Sequence, residues 1–275
     1  MGNFLKNIAR QPTLVRITEE MRIGGPLRGI YRFCFAPDRG KHQVCVAGHQ
    51  AQFYVYSQAA AHAFDLLGGE RPTLEHLIEK LTSGDCFWDV GAATGLYTIF
   101  LARVVGEKGQ VVAFEPELDS YTRLRENVRL NCLENVRPFQ MALSDHDGFA
   151  LLQTGDVSGV GRITESGGSG GTPARFERVT TARGDGLVAR QGLPSPRAVK
   201  VDVEGHEHSV LQGLAQTLSQ PTCELICCEV HLELLPQDIR AEDILTLLCS
   251  FGFMSIEIHP RTRDLHVWAS KRKAV

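Results

Sequence analysis

The chain has 275 residues, of which 43% are hydrophobic and 22% charged, and its formal net charge at pH 7 is −3. This length suits one large domain, or one domain with an added lobe, that buries a sizeable core. The slightly acidic balance argues against a nucleic-acid partner, and no apolar stretch approaches the ~20 residues that span a membrane.

Cysteine usage and the N-terminus bear on the cellular compartment. The chain has eight cysteines, and several of them lie inside apolar runs such as "CELICCEV". This pattern predicts reduced, buried thiols rather than a disulfide framework. The N-terminus has no long apolar segment of the kind that a secretory signal contains. We therefore expect a cytoplasmic protein.

Residues 1–72 are predicted to form an N-terminal extension made of a helix and a β-hairpin. Leu14, Ile17 and Met21 recur at helical spacing, and two alternating apolar runs flank Gly48. Thr73 is the expected N-cap of a following helix over "LEHLIEKL". The main domain is predicted over residues 73–275.

From Asp85 onward, apolar runs alternate with helical patterns, as strands and crossover helices do in a parallel sheet. The runs are "CFWDV", "VVAFE", "VRPFQMAL", "RAVKVDV" and "CELICCEV". Near the C-terminus, "MSIEIH" and "DLHVWAS" are separated by only four residues, which is too short for a parallel crossover. The predicted fold is α/β: a doubly wound, mostly parallel, Rossmann-like sheet with an antiparallel C-terminal strand.

One segment, 151–181, interrupts this alternation between the third and fourth predicted strands. Its Ser-Gly run over 166–171 has the composition of a flexible loop. Ligands of open α/β sheets bind beyond the carboxyl ends of the strands, where an insertion is able to cover the pocket. The segment is either a loop that covers the ligand or a disordered surface loop, and both interpretations remain open.

The stretch "FWDVGAATGLYTIF", residues 87–100, is typical of a strand, a tight turn and a helix. Gly91 and Gly95 allow a ligand to approach the backbone at the start of the helix. Glu115 ends the next strand, 20 residues after Gly95. A carboxylate at that position accepts the hydrogens of both ribose hydroxyls, so a nucleoside-containing ligand is predicted.

Two ligand classes are consistent with this turn, the dinucleotides and S-adenosylmethionine. The dinucleotide pattern is G-x-G-x-x-G, whereas here the spacing is Gly91-x-x-x-Gly95, and Asp89 precedes it. A carboxylate repels a pyrophosphate but complements the ammonium and sulfonium groups of S-adenosylmethionine. The second ligand is favoured. An NAD-dependent oxidoreductase and a non-catalytic nucleoside-binding module remain as alternatives.

Four motifs together resemble the FkbM-type methyltransferases: "DVGAATGLYT" at 89–98, "VVAFEPE" at 111–117, "ALSD" at 142–145 and "VKVDVEGHEHSVLQGL" at 199–214. The resemblance implies a class I methyltransferase fold that uses S-adenosylmethionine, often to methylate hydroxyls of sugars or natural products. It also implies positions for the cofactor. Glu115 would bind the ribose, Met141 and Ala142 would lie along the adenine, and Asp202 would face the methionine end. The methionine and turn region would comprise Asp89, Gly91, Ala92, Gly95 and Thr98.

Candidate catalytic groups cluster at the ends of the fourth and fifth predicted strands. Methyl transfer is an in-line displacement, and a hydroxyl acceptor must also lose a proton. His206 is the candidate base, because the ordinary pKa of histidine, about 6.5, suits that step; the alternative is a solvated or capping side chain. Glu204 is the second candidate, or it serves only the turn before Gly205.

A magnesium or manganese site is chemically conceivable from Asp202, Glu204, Glu229 and His231. No metal-spacing motif accompanies these residues, and Asp202 is assigned to the cofactor, so no metal is predicted.

The predicted function is therefore S-adenosylmethionine-dependent methyl transfer to an oxygen of a small molecule, sugar or other glycan. Nitrogen or RNA methylation on the same fold remains an alternative. No nucleic-acid or membrane partner is expected, and the sequence does not determine the oligomeric state.

Overall fold

The computed structural model describes residues 40–55, 67–154, 161–164, 175–261 and 263–271. The predicted N-terminal helix and the Ser-Gly run over 166–171 lie outside these ranges. The main sheet, the second sheet and every site below belong to one compact unit, Gln43–Phe53 with Leu66–Val275. Of the other unit, the structure describes residues 40–42 and 54–55. The predicted domain boundary at 72/73 stays a prediction.

The main sheet has seven strands in the order β12-β13-β11-β10-β3-β4-β5. Neighbours pair in parallel from β11 through β5, and β13 runs antiparallel to both β11 and β12. The predicted mostly parallel sheet with a reversed C-terminal strand is therefore confirmed. The strands are β3 Cys86–Val90, β4 Gln110–Phe114, β5 Val136–Phe139, β10 Ala198–Val201, β11 Leu225–His231, β12 Ser255–Pro260 and β13 Asp264–Ser270.

Helices cover this sheet, and a hairpin precedes it. The hairpin consists of β1 Gly40–Val46 and β2 His49–Val55, which join at Ala47 and Gly48. A 3₁₀ turn at Leu67–Gly69 then leads into the helices. The α-helices are α1 Arg71–Lys80, α2 Leu96–Val105, α3 Leu118–Leu130, α4 Gly184–Gln191, α5 Glu207–Gly213, α6 Ala215–Ser219 and α7 Ala241–Ser250.

The expected N-cap at Thr73 is wrong. Helix α1 begins two residues earlier, at Arg71, and Pro72 lies in its first turn. A proline is favoured there because its fixed φ suits the helix and its missing N–H has no partner to lose. The Thr73 hydroxyl lies inside the helix and 3.1 Å from Nδ1 of His266 on β13, so it joins the helix to the sheet.

A second, four-stranded sheet replaces much of the predicted loop, in the order β6-β9-β7-β8. Its strands are β6 Ala142–Ser144, β7 Gly148–Thr154, β8 Gly161–Thr164 and β9 Arg175–Arg183. The run "VRPFQMAL", predicted as one strand, is divided between the two sheets: β5 pairs with β4, and β6 pairs with β9. The segment 151–181 is thus in large part a sheet and not simply a loop.

The core consists of large side chains between the main sheet and its helices, with Phe87, Trp88 and Phe114 at most 1% exposed. Helix α2 is buried almost all round because it packs against α1 as well as against β3 and β4. Three described cysteines are buried, Cys223, Cys227 and Cys228, but Cys45, Cys132 and Cys249 are exposed, against expectation. No helix in the described ranges is long and apolar enough to cross a membrane.

Candidate active site

The carboxyl ends of β3, β4 and β10 meet at one edge of the main sheet and line a cavity. This is where open α/β sheets bind their ligands. We call it the cofactor cavity. Its lining consists of Val90, Gly91, Ala93, Phe114, Glu115, Pro116, Glu117, Met141, Ala142, Leu143, Leu152, Ile163, Asp202, Val203, Glu204 and His206.

The turn after β3 needs its glycines for packing within the protein. Gly91 has φ +83°, and a Cβ there would lie 1.8 Å from the Asp202 carbonyl oxygen. Gly95 has φ +94°, and a Cβ there would lie 2.6 Å from Cδ1 of Leu124. Gly91 also lines the cofactor cavity, whereas Gly95 packs against helix α3 and is not among the lining residues. From the sequence, the glycine at position 91 is expected because a ligand approaches the backbone there. The structure adds a second reason, which is the close approach of the loop after β10.

Asp89 lies beneath the cavity floor and is 1% exposed. Its Oδ2 accepts a 2.6 Å hydrogen bond from the Thr98 hydroxyl, while its Oδ1 has no partner among the described residues. Burial raises the pKa of Asp89, although the Lys200 ammonium and the Thr98 hydrogen bond oppose the shift. Ala92 is also buried. Asp89, Ala92 and Thr98 do not line the cavity, so Thr98 orients Asp89 rather than facing the ligand.

Glu115 lies at the end of β4 and faces the cavity with 5% of its surface exposed. Its two oxygens accept hydrogen bonds from the backbone N–H groups of Ala93 and Glu117, each at 2.8 Å. Burial nevertheless raises the pKa of Glu115 to about 7. Each carboxylate oxygen has two lone-pair sites, so both retain capacity for ligand hydroxyls.

The apolar side of the cavity contains the two residues predicted to lie along the adenine, Met141 and Ala142. It also contains Leu152 and Ile163, which paired strands of the second sheet contribute. Sequence reasoning missed these two, because their segment was taken as an insertion with no fixed position. The apolar run "FALL" at 149–152, which follows Gly148, was the available signal for a strand.

The loop after β10 carries Asp202 and Glu204 at the cavity, next to His231 at the end of β11. Burial opposes ionisation of Asp202, but the Lys200 ammonium 2.9 Å from its Oδ2 outweighs burial, and the pKa of Asp202 is lowered. Glu204 has φ +51°, which is rare for a residue other than glycine, and burial raises its pKa. Glu229, the fourth member of the metal set considered from sequence, lies 3.0 Å from His266 and within 4.8 Å of His231.

His231, which the sequence analysis placed in the conceivable metal set, does not line the cavity but lies beside two residues that do, Asp202 and Glu204. Its Nδ1 is 2.7 Å from the fully buried Glu207, and its Nε2 is 3.6 Å from Glu204 and 3.7 Å from Asp202. Burial lowers the pKa of His231, but the Glu207 hydrogen bond and the surrounding carboxylates raise it to about 9. His231 is therefore protonated at neutral pH and balances the charge of the carboxylates around it.

His206 follows the same loop, but burial outweighs the effect of the Asp145 carboxylate on its pKa. Its Nε2 is 3.0 Å from the Ser144 hydroxyl, which in turn donates to Oδ1 of Asp145 at 3.0 Å. Burial lowers the pKa of His206, so the imidazole is neutral near pH 7. Glu204 and His206, the two predicted catalytic residues, both line the cofactor cavity.

A second cavity, which we call the open cleft, begins at His206 and is open to solvent. It runs between the second sheet and the chain that follows β11. Its lining consists of Ser144, His146, Phe149, Ala150, Leu151, Arg162, Ile163, Arg178, Thr181, Gly205, His206, Ser209, Leu234, Pro236 and Asp238. His206 and Ile163 line both cavities.

Comparison with known proteins places residues 89–254 in the family described as the methyltransferase FkbM domain. The chain is 32% identical over 221 residues to the hexuronic acid methyltransferase AglP of Haloferax volcanii, covering 80% of this chain and 84% of that protein. It is 30% identical to the 2-O-methyltransferase NoeI of Sinorhizobium fredii, over 54% of this chain and 65% of that one. It is 27% identical to the 31-O-demethyl-FK506 methyltransferase FkbM of Streptomyces tacrolimicus, over 74% of this chain and 87% of that one.

Proposed function

This chain belongs to the FkbM family of S-adenosylmethionine-dependent methyltransferases, and we propose that it transfers the methyl group to a hydroxyl oxygen of a saccharide or related small molecule. Membership confirms the predicted enzyme class and cofactor. The acceptor class and the residue roles belong to the proposal.

The oxygen acceptor is supported by the relatives. Two of them are named for transfer to an oxygen position, and the third for a hexuronic acid, a sugar. The similarity to the hexuronic acid enzyme extends over 84% of that protein.

We assign the cofactor to the cofactor cavity by charge and shape. The ribose hydroxyls would donate to Glu115, whose oxygens are held in place by two backbone N–H groups. The adenine would lie between the apolar side chains around Met141. The ammonium and sulfonium end would face Asp202, with the Asp89 carboxylate beneath it. A bound S-adenosylmethionine supplies an electrophilic methyl group, and these residues orient it.

We assign His206 as the base that removes the proton of the acceptor hydroxyl. A base must be unprotonated at working pH, and the lowered pKa of His206 meets this condition, whereas the raised pKa of His231 does not. If Nε2 carries the hydrogen and donates it to Ser144, the Nδ1 lone pair is the basic atom. Glu204 is the second candidate, because its pKa is raised toward neutrality.

One observation carries this proposal: His206 lines both the cofactor cavity and the open cleft. A base at the junction of a donor cavity and an acceptor cleft is able to reach the hydroxyl that attacks the methyl group. The open cleft is therefore the proposed acceptor site.

The test combines binding and transfer. Calorimetric titration with S-adenosylhomocysteine and with NAD should show binding of the first alone. Radiolabelled S-adenosylmethionine should then transfer its methyl group to simple hexosides and hexuronosides, and not to amines or transfer RNA. Label on amines or RNA only would overturn the oxygen-acceptor assignment, and NAD binding alone would overturn the cofactor assignment.

A further inference from the structure

The wall of the open cleft that the second sheet supplies combines an exposed aromatic ring with exposed arginines. Phe149 is 60% exposed and Leu151 38% exposed, both on β7. Arg178 on β9 is paired opposite Leu151, and Phe149 lies two residues before Leu151, so the three side chains share one side of the sheet. Arg162 of β8 also lines the cleft. Large exposed apolar groups beside a cavity mark a binding surface.

The Arg178 guanidinium lies over the Phe149 ring, with 3.8 Å between Cζ and the ring centroid. Within the described ranges, no hydrogen bond or ion pair engages the Arg178 or Arg162 side chain. Stacking on a ring uses the face of a guanidinium and leaves its in-plane N–H donors available. Two guanidinium groups that line one cleft thus have no anionic partner in the described part of the chain.

Among the described residues, no acidic side chain pairs with Arg178 or Arg162. The described lining contains one carboxylate, Asp238, which the chain after β11 contributes and not the second sheet. Asp145, close to the cleft, is held by the His146 imidazole at 2.7 Å and by Ser144. The whole chain has a net charge of −3, so the positive charge of this wall comes from the local arrangement of residues and not from the overall composition.

We propose that the acceptor is an anionic saccharide, whose carboxylate or sulfate group binds Arg178 and Arg162 while its ring packs against Phe149. The inference deepens the proposed function and rests on it, since it assumes that the open cleft holds the acceptor. Arginine forms paired hydrogen bonds with the two oxygens of a carboxylate or sulfate, and such charge-assisted bonds are about twice as strong as neutral ones. An aromatic ring supplies a flat apolar surface for the C–H face of a pyranose ring.

The test compares three probes that differ in the group at C6: methyl glucuronoside with a carboxylate, methyl glucoside 6-sulfate with a sulfate, and methyl glucoside with a neutral hydroxyl. Dissociation constants are measured in the presence of S-adenosylhomocysteine, together with kcat/KM for methyl transfer. We expect at least one anionic probe to bind about tenfold more tightly than methyl glucoside, which is the effect of one charge-assisted hydrogen bond. The anionic probe with the lower dissociation constant identifies the preferred group of the acceptor, carboxylate or sulfate.

Four variants separate charge recognition from general effects on folding and cofactor binding. Arg178→Gln, and more fully the double variant Arg162→Gln with Arg178→Gln, should remove the preference for the anionic probe. Arg175→Gln is the matched control, because it removes the same charge from the same strand at an exposed residue outside the cleft lining. Phe149→Ala should weaken binding of all three probes. Affinity for S-adenosylhomocysteine should stay constant in every variant, which verifies the fold.

Equal binding of charged and neutral probes, or a preference that survives in the double variant, overturns the inference. In that case methyl transfer to the neutral glucoside would leave the proposed function standing. Absence of transfer to any saccharide, with S-adenosylhomocysteine still bound, would overturn the proposed saccharide acceptor and the inference with it.

Discussion

The cofactor cavity and the open cleft meet at His206 but are built in opposite ways. Around the cavity, Asp89 and Glu115 are buried and bonded to the protein, and Gly91 is required by the backbone that packs against it. Along the cleft, Phe149 and Leu151 are exposed. Side chains fixed by the protein itself suit the cofactor that we propose for the cavity, whereas exposed side chains suit selection of the acceptor that we propose for the cleft.

The largest effect is expected on the cavity side, from Gly91→Ala. The added Cβ meets the Asp202 carbonyl oxygen, and the residue must also keep φ +83°. We expect the free energy of unfolding to fall by at least about 3 kcal/mol, from overpacking together with the left-handed backbone. Denaturant unfolding measures the change.

Gly84→Ala is the matched control for that variant. Gly84 has φ +96° but no atom within 4 Å of an added Cβ, so its substitution should cost only about 1 kcal/mol. Equal losses in the two variants would show that the Asp202 loop yields easily and that the cavity is less rigid than proposed.

At the junction of the two regions, His206→Ala should lower kcat by about 1000-fold, within the range for loss of a general base. Affinity for S-adenosylhomocysteine should stay nearly constant, because the base acts on the acceptor. His208→Ala, two residues further along the chain, is the control and should retain activity. If Glu204→Gln abolishes turnover while His206→Ala does not, the base is Glu204.

On the cavity side again, Glu115→Ala should weaken binding of S-adenosylhomocysteine by about 100-fold, the effect of losing one or two charge-assisted hydrogen bonds. The variant also leaves the N–H groups of Ala93 and Glu117 without their acceptor. Calorimetry measures the affinity, with Glu107→Ala at an exposed position as the control. Unchanged affinity would contradict the ribose assignment.

The pH dependence of cofactor binding gives a smaller effect at the same residue. The pKa of Glu115 is raised from 4.5 to about 7, so the carboxyl gains its proton as the pH falls through neutrality. Ribose hydroxyls donate to the ionised form, so affinity should fall about tenfold between pH 8 and pH 6. Glu115→Gln should remove this component, and a profile that is the same in both proteins would assign the titration to another group.

The smallest effect belongs to the open cleft, where Phe149→Ala should change the free energy of unfolding by no more than about 0.5 kcal/mol. Leu152→Ala on the same strand provides the contrast, because Leu152 is 1% exposed and its loss should cost about 3 kcal/mol. Similar losses from the two substitutions, in thermal or denaturant unfolding, would mean that the cleft wall is packed and not open.

Much of the cofactor side was predictable because its residues lie in short motifs at strand ends. Gly91, Glu115, Met141, Ala142 and Asp202 line the cavity as the motif positions implied. Thr98 and Gly95 were placed in the right turn but face the protein, since a motif gives position along the chain and not the direction of a side chain. The raised pKa of His231 was not predicted, because it depends on Glu207, which is 24 residues away in the chain.

The sequence by itself determined the alternation of strands and helices, the reversed C-terminal strand and the cofactor class, because each depends on local periodicity or on a few neighbouring residues. The tertiary structure decided the rest. It turned part of a predicted insertion into a second sheet and brought Leu152 and Ile163 to the cofactor cavity. It also made His206 a neutral imidazole and His231 a charged one. The reason is that pKa values and cavity walls depend on which residues, distant in the chain, pack together and exclude water.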